Sequence, residues 1–190
     1  MHISAIAGSR GGKPLSGRAG NLRLFGLAEF RDEPSANHLP PFPQSEVSVS
    51  TTAPAQTSAA EQVKLSYGRC CMRPTFFDDF YNDFTSTSAA VRAKFTKTDF
   101  AKQKALLRQG IAYLIMFNSG SPSASSAIRK LGETHCKSRL NIEPAMYELW
   151  LGALLRTVRK HDPQFTPELG ADWRSVLNKG IAAMKSVYNQ

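Results

Sequence analysis

Between Ala59 and Tyr188 the apolar residues recur every three or four positions, and nowhere do they alternate with polar ones over the length of a strand. A repeat near 3.6 lays one greasy stripe along a helix, whereas a half-buried strand needs a period of two. The pattern therefore predicts an all-α domain of about seven helices, each burying one stripe against its neighbours.

Breakers and caps divide that pattern. A first helix runs from about Ala59 to Cys71, and Pro74 ends it. Thr75-Phe-Phe-Asp78 reads as a cap for the next, whose face is Phe77, Phe80, Tyr81 and Phe84. Ser88 caps a short helix leading to Val91 and Phe95. Thr98 or Asp99 starts a long one to about Asn118, with Phe100, Gln103, Leu107, Gly110, Ile111 and Leu114 inward. After Pro122 a helix from about Ser123 to Lys137 carries His135. Pro144 opens the next at the first-turn position that proline favours, with Tyr147, Trp150, Leu151, Leu154 and Val158 on its face, and Asp162-Pro163 stops it. Thr166-Pro167-Glu168 starts the last helix, with Trp173, Val176, Leu177, Gly180, Ile181, Met184 and Tyr188 inward.

Length allows one such domain, which we place at residues 61–190 of the 190. Residues 1–60 hold six of the 13 glycines and six of the 11 prolines, with a Ser/Thr/Ala run at their end. That composition offers too little apolar surface to offset the entropy of ordering, so the segment is expected to be a disordered tail. The longest apolar run, Ile111 to Phe117, is far short of the roughly 20 residues of a membrane span. Three cysteines, Cys70 and Cys71 adjacent and Cys136 alone, make no disulfide framework and point to a reducing, cytoplasmic setting. The net charge of +9 lies wholly in residues 62–190, where basic residues are scattered along helices without a nucleic-acid-binding motif. No nucleic-acid or membrane partner is expected. An acidic partner protein stays open.

One histidine stands out. His135 shares a helical face with Ile128 and Leu131, and Ile142 follows one heptad later. A neutral imidazole can bind a metal, but these neighbours offer an apolar wall where zinc would want about three or four protein ligands. One ligand beside a greasy wall suits a flat hydrophobic metal cofactor such as haem; the alternative is a hydrogen-bonded core histidine. Gln103 and Gly110 sharpen the choice, since an amide and a glycine on the inward stripe of a long helix are each unfavourable unless something flat and partly polar lies beside them. His2, His38 and His161 are read as surface residues.

The runs Phe76 to Phe84 (FFDDFYNDF), Lys94-Phe95-Thr-Lys-Thr-Asp-Phe100-Ala-Lys-Gln103, Thr134-His135 and Ala171-Asp-Trp173 through Met184 together resemble a bacterial single-domain globin, over residues 62–190. The resemblance implies a three-over-three helical fold around haem b, iron protoporphyrin, held by His135 as proximal ligand and wedged by Phe95. It places Tyr81 and Gln103 as distal hydrogen-bond donors, Tyr81 the stronger, with Gln103 where many globins carry a histidine. Leu107 and Gly110 would line the distal face, and Leu131 and Ile142 the proximal one, with Tyr147 a further haem contact. The activity implied is reversible oxygen binding, with no catalytic residue. Nitric oxide and carbon monoxide are further gas ligands. The alternatives are nitric oxide dioxygenation served by a separate, acidic reductase, peroxidase-like chemistry at haem, and a gas-sensing or partner-binding role.

Overall fold

A computed structural model describes residues 57–190, so the expectation of a tail over 1–60 falls almost wholly outside them. The described residues form seven helices and no strand: α1 (Ala59–Cys71), α2 (Phe76–Ser86), α3 (Ala89–Lys94), α4 (Phe100–Asn118), α5 (Pro122–His135), α6 (Pro144–His161) and α7 (Pro167–Ser186). In one layer α4 packs on α1 and α5, and in the other α6 packs on α2 and α7. The layers meet chiefly where α7 crosses α1, α4 and α5, which gives three helices over three. Among the described residues no helix is long and apolar enough to cross a membrane.

Most helix starts are those the sequence marks. Side-chain oxygens of Ser58, Ser88, Asp99, Ser121 and Thr166 accept from first-turn amides of α1, α3, α4, α5 and α7, each contributing about 1 kcal/mol. Proline sits in the first turn of α5, α6 and α7. Thr75 departs from expectation: its hydroxyl donates to Asp79 Oδ2 at 3.2 Å and caps no amide. α2 holds without that cap because Phe76, Phe77, Phe80, Tyr81 and Phe84 are all buried, at about 1.5–3 kcal/mol for a large apolar side chain.

Two glycines set how closely α7 lies on its neighbours. A Cβ on Gly180 would stand 2.5 Å from Leu114 Cδ2 of α4, and one on Gly132 of α5 2.7 Å from Val187 Cγ2 and 3.2 Å from Met184 Cα. Both helices that α7 approaches this way, α4 and α5, carry the residues discussed below.

At the other end of the molecule a buried carboxylate joins α1, the α6–α7 corner and α7. Asp162, just past α6, accepts from Ser66 Oγ (2.6 Å), from Arg69 Nε and Nη2 (2.6 and 2.8 Å) and from the backbone amide of Gln164 (3.0 Å). Ser66 Oγ in turn accepts from Trp173 Nε1 at 2.9 Å. Burial alone would push the Asp162 carboxyl up, but the Arg69 guanidinium, the Ser66 hydroxyl and the Gln164 amide outweigh it and hold it below its ordinary value.

Three expectations need correction. Phe100 is 39% exposed, because it is the first residue of α4 and lies where the helix leaves the core. His161 is no surface residue: its side chain is 9% exposed, donates from Nε2 to Asp79 Oδ2 (2.6 Å) and meets the edge of Phe76. Tyr188 lies beyond the end of α7 and is half-buried, its hydroxyl donating to Asn141 Oδ1 at 2.7 Å.

Candidate functional site

α5 stops at His135, two residues earlier than its pattern suggests, because Cys136 takes an extended ψ of 166°. The last carbonyls of the helix are then satisfied by the loop that follows: Leu140 N donates to Thr134 O, Ile142 N to His135 O, and Arg139 N and Asn141 N to Cys136 O. Asn141 adopts φ 49°, a left-handed conformation that asparagine tolerates, and this turns the chain back. Ile142 thus reaches the vicinity of His135 by a folded loop. It is fully buried there.

His135 is 1% exposed. Desolvation pushes its imidazole down to about 4, against a smaller upward pull from the Leu131 carbonyl, so the ring is neutral near pH 7. Nδ1 lies 2.6 Å from Leu131 O, a contact that only an N–H can make. That bond fixes the tautomer: Nδ1 carries the proton and Nε2 keeps the lone pair, the arrangement a metal-binding histidine needs. The ring lies 6.3 Å, centroid to centroid, from Tyr147 of α6.

Beside it an apolar cavity opens between four helices. Leu107, Gly110, Ile111 and Leu114 of α4 form one wall, Leu131 of α5 and Tyr147 and Trp150 of α6 another, and Ile181 and Met184 of α7 close it. Four residues singled out in the sequence, Leu107, Gly110, Leu131 and Tyr147, are brought together here. Phe95, Ile142, Tyr81, Gln103 and His135 itself are buried in the surrounding core but do not line this space; His135 adjoins it through Leu131 and Tyr147. Sequence reasoning placed Trp150, Ile181 and Met184 only in the core, and nothing in a helical stripe separates a residue facing a neighbour from one facing a void.

Tyr81 and Gln103 do meet. Tyr81, 3% exposed, is walled by the rings of Phe80, Phe95 and Phe100 at 5.0, 5.6 and 5.4 Å, and its hydroxyl donates to the backbone carbonyl of Gln103 at 3.3 Å. Burial pushes the phenol well up, against a smaller downward pull from the nearby Gln103 side-chain amide, so it remains a donor at any ordinary pH; the amide itself makes no bond of full hydrogen-bond geometry. Gln103 is 2% exposed and its side-chain Nε2 is buried with no hydrogen-bond partner. A buried amide left so costs about 1–3 kcal/mol. It sits one and two turns before Leu107 and Gly110, on the face of α4 that walls the cavity.

A flat apolar metal cofactor gripped by one histidine requires a neutral, oriented imidazole, an apolar cleft beside it, and no rival ligand cluster. The chain meets all three, since no group of three or more His, Cys, Asp or Glu able to hold a metal ion occurs among the described residues. The orphaned Gln103 amide adds a polar group with unfilled capacity. Cys70, Cys71 and Cys136 are all free thiols.

Comparisons with known proteins agree on the kind of molecule this resembles. The family model described as Globin matches residues 72–184. A solved structure from Pseudomonas aeruginosa, described as that of a protein structurally highly homologous to a human haemoglobin, is 45% identical with a TM-score of 0.67; the match covers 70% of this chain and 100% of that one. No curated protein matches the chain.

Proposed function

The chain belongs to the globin family, and on that premise we propose that it binds oxygen reversibly at haem b, with His135 as the axial ligand. When bound, the haem supplies a ferrous iron that takes a diatomic gas. The observation that carries the reading is the buried, neutral His135 ring, fixed through Nδ1 to Leu131 O and flanked by Leu131 and Tyr147, which line an apolar cleft.

The chain's own residues would divide the work between two sides. Leu131, Ile142 and Tyr147 surround His135 and keep water from it, which holds the imidazole neutral. Leu107 and Gly110 give a smooth apolar wall, the glycine leaving room for a flat ring to lie close to α4. With haem bound, Gln103 would offer its amide to the gas, and Tyr81 holds Gln103 by donating to its backbone carbonyl. A hydrogen-bond donor favours oxygen over carbon monoxide, a poorer acceptor, and Phe95 supports Tyr81 by packing on its ring.

The absorption spectrum of the purified protein, before and after dithionite and then in air, tests this directly. A haem spectrum that shifts reversibly with oxygen is expected, and His135→Gly should retain haem poorly unless imidazole is added. Unaltered haem binding in His135→Gly without imidazole would mean that another residue is the ligand.

One observation favours a second reading, in which nitric oxide and oxygen would combine to nitrate, oxygen being the oxidant and an acidic reductase supplying one electron per turnover. Arg129, Lys137 and Arg139, on or just after α5, are exposed and have no carboxylate partner among the described residues. They would give such a donor a basic rim near His135. Nitrate formation under turnover with an added reductase, falling as salt is raised, is the measurement that supports it; salt-independent turnover would count against that rim.

A further inference from the structure

Lys94, the last residue of α3, is half-buried and points its ammonium into a place where no acid waits. Its Nζ donates to Leu140 O at 3.0 Å and to Asn141 O at 3.1 Å, and no carboxylate pairs with it among the described residues. Those two carbonyls belong to the loop that begins at Cys136 and ends at Ile142, whose amide donates to the carbonyl of His135. The next residue, Phe95, is buried, with its ring 5.6 Å from Tyr81 and 5.9 Å from Phe84. One dipeptide therefore grips the loop behind the proximal histidine with its first side chain and packs the distal aromatic cluster with its second.

We infer that Lys94 is a positioning residue for His135: by holding Leu140 O and Asn141 O it fixes the return of the loop that sets Ile142 and the end of α5, and so fixes the imidazole. This rests on the assignment of His135 as axial ligand. A charged donor shared between two neutral carbonyls makes bonds stronger than ordinary neutral ones. The loop needs that grip, because a residue at φ 49° turns it sharply and its helix has already ended. From the opposite side the chain terminus holds the same loop, with Lys137 N donating to Tyr188 O and the Tyr188 hydroxyl to Asn141 Oδ1. Among the described residues Lys94 is the only side chain bonded to carbonyls of this loop. Sequence reading had placed it among scattered surface charges.

The test uses the full-length haem-loaded protein and three variants: Lys94→Met, which keeps the stem and removes the donors; Lys94→Arg, which restores a charged donor; and Lys94→Gln, a milder loss should methionine prove too disruptive. Two signals are read, amide hydrogen exchange at Ile142 in the carbon monoxide form and the iron–histidine stretching band in the reduced, gas-free form. We expect Lys94→Met to speed Ile142 exchange by about tenfold or more while exchange in the middle of α4 and α6 stays unchanged. We expect it also to shift or broaden the iron–histidine band, Lys94→Gln to do so less, and Lys94→Arg to resemble the parent. Faster exchange with an unmoved band makes Lys94 a staple of the loop only and overturns the positioning role, as does unchanged exchange. A band that persists in His135→Gly overturns the ligand assignment itself, a failure told apart by appearing in that variant and not in those at Lys94.

Discussion

Two buried polar regions of this molecule follow opposite rules. At the α6–α7 corner every polar atom has a partner: Asp162 accepts from Ser66, Arg69 and Gln164, and Ser66 accepts from Trp173. Beside the cavity the Gln103 amide has none, and His135 is buried at the cost of its charge. A buried polar network stabilises a fold only when it is complete, while an incomplete one is a standing cost that must be justified elsewhere. The corner is built for the fold and the cavity for something that enters it.

That contrast can be broken, and the largest effect is expected at the corner. Asp162→Asn should cost about 3 kcal/mol in urea unfolding, the low end for loss of one partner of a buried pair because Arg69 keeps 25% of its side chain exposed. The haem spectrum of the surviving folded protein should be unchanged. A variant as stable as the parent would show the network to be ornamental.

Acid should separate the regions next. His135 is held neutral with its value pushed down to about 4, below the 6.5 of an unfolded histidine, so between those values the unfolded chain binds the extra proton. Stability of the haem-free protein should fall as pH drops below about 6.5, by up to about 1.4 kcal/mol per unit, until the folded ring itself titrates. Asp162 behaves later: its depressed carboxyl contributes stability above the ordinary carboxylate value, and that is lost as pH falls below it through the folded value. Stability measured against pH should show the upper step vanish in His135→Leu and the lower one shrink in Asp162→Asn. An upper step that survives His135→Leu belongs to another group.

Gln103→Leu sharpens the contrast from the other side. Removing an orphaned amide should stabilise the haem-free protein by about 1 kcal/mol. If the amide donates to oxygen, the same change should speed oxygen dissociation by about tenfold, since roughly 1.4 kcal/mol is a factor of ten. Carbon monoxide dissociation should change much less. A variant that gains stability with no change in oxygen release would make Gln103 a packing defect and nothing more.

The smallest effect is expected for Tyr81→Phe. The sequence suggests Tyr81 as the stronger donor, but its single proton is already given to Gln103 O. Its loss should therefore cost about 1 kcal/mol of stability and raise the oxygen off-rate by less than Gln103→Leu does. The reverse order in stopped-flow measurements would show that the hydroxyl leaves the carbonyl for the gas.

Much of the fold was legible because it is written in local terms. Ser88, Asp99 and Thr166 cap where short polar residues precede helical stripes, and Pro144 and Pro167 begin helices where an amide proton would go unused. Of the site, the inward stripe of α4 and the lone histidine of α5 could be read from periodicity alone. What could not be read depends on loops and distant partners. The early end of α5 at His135 is set by amides of Arg139 to Ile142, and the burial of His161 by Asp79, 82 residues earlier, and Phe76. Lys94 looks like any surface lysine until the proximal loop arrives beside it.

The sequence by itself determined that this chain is helical, which faces are buried, and that one histidine, one glutamine and one glycine stand against the grain of those faces, because a 3.6-residue period and a cap are properties of a few neighbouring residues. Only the tertiary structure decided that these misfits converge. The Nδ1 proton of His135 is committed by the turn beneath it, but its neutrality comes from burial in the packed core, with Tyr147 of α6 beside it. The donor proton of Tyr81 is committed by a carbonyl on α4, and the return of Ile142 by a loop gripped from α3. Desolvation and long-range hydrogen bonds exist only once distant segments meet, so the chemistry of the site is a property of the packed molecule.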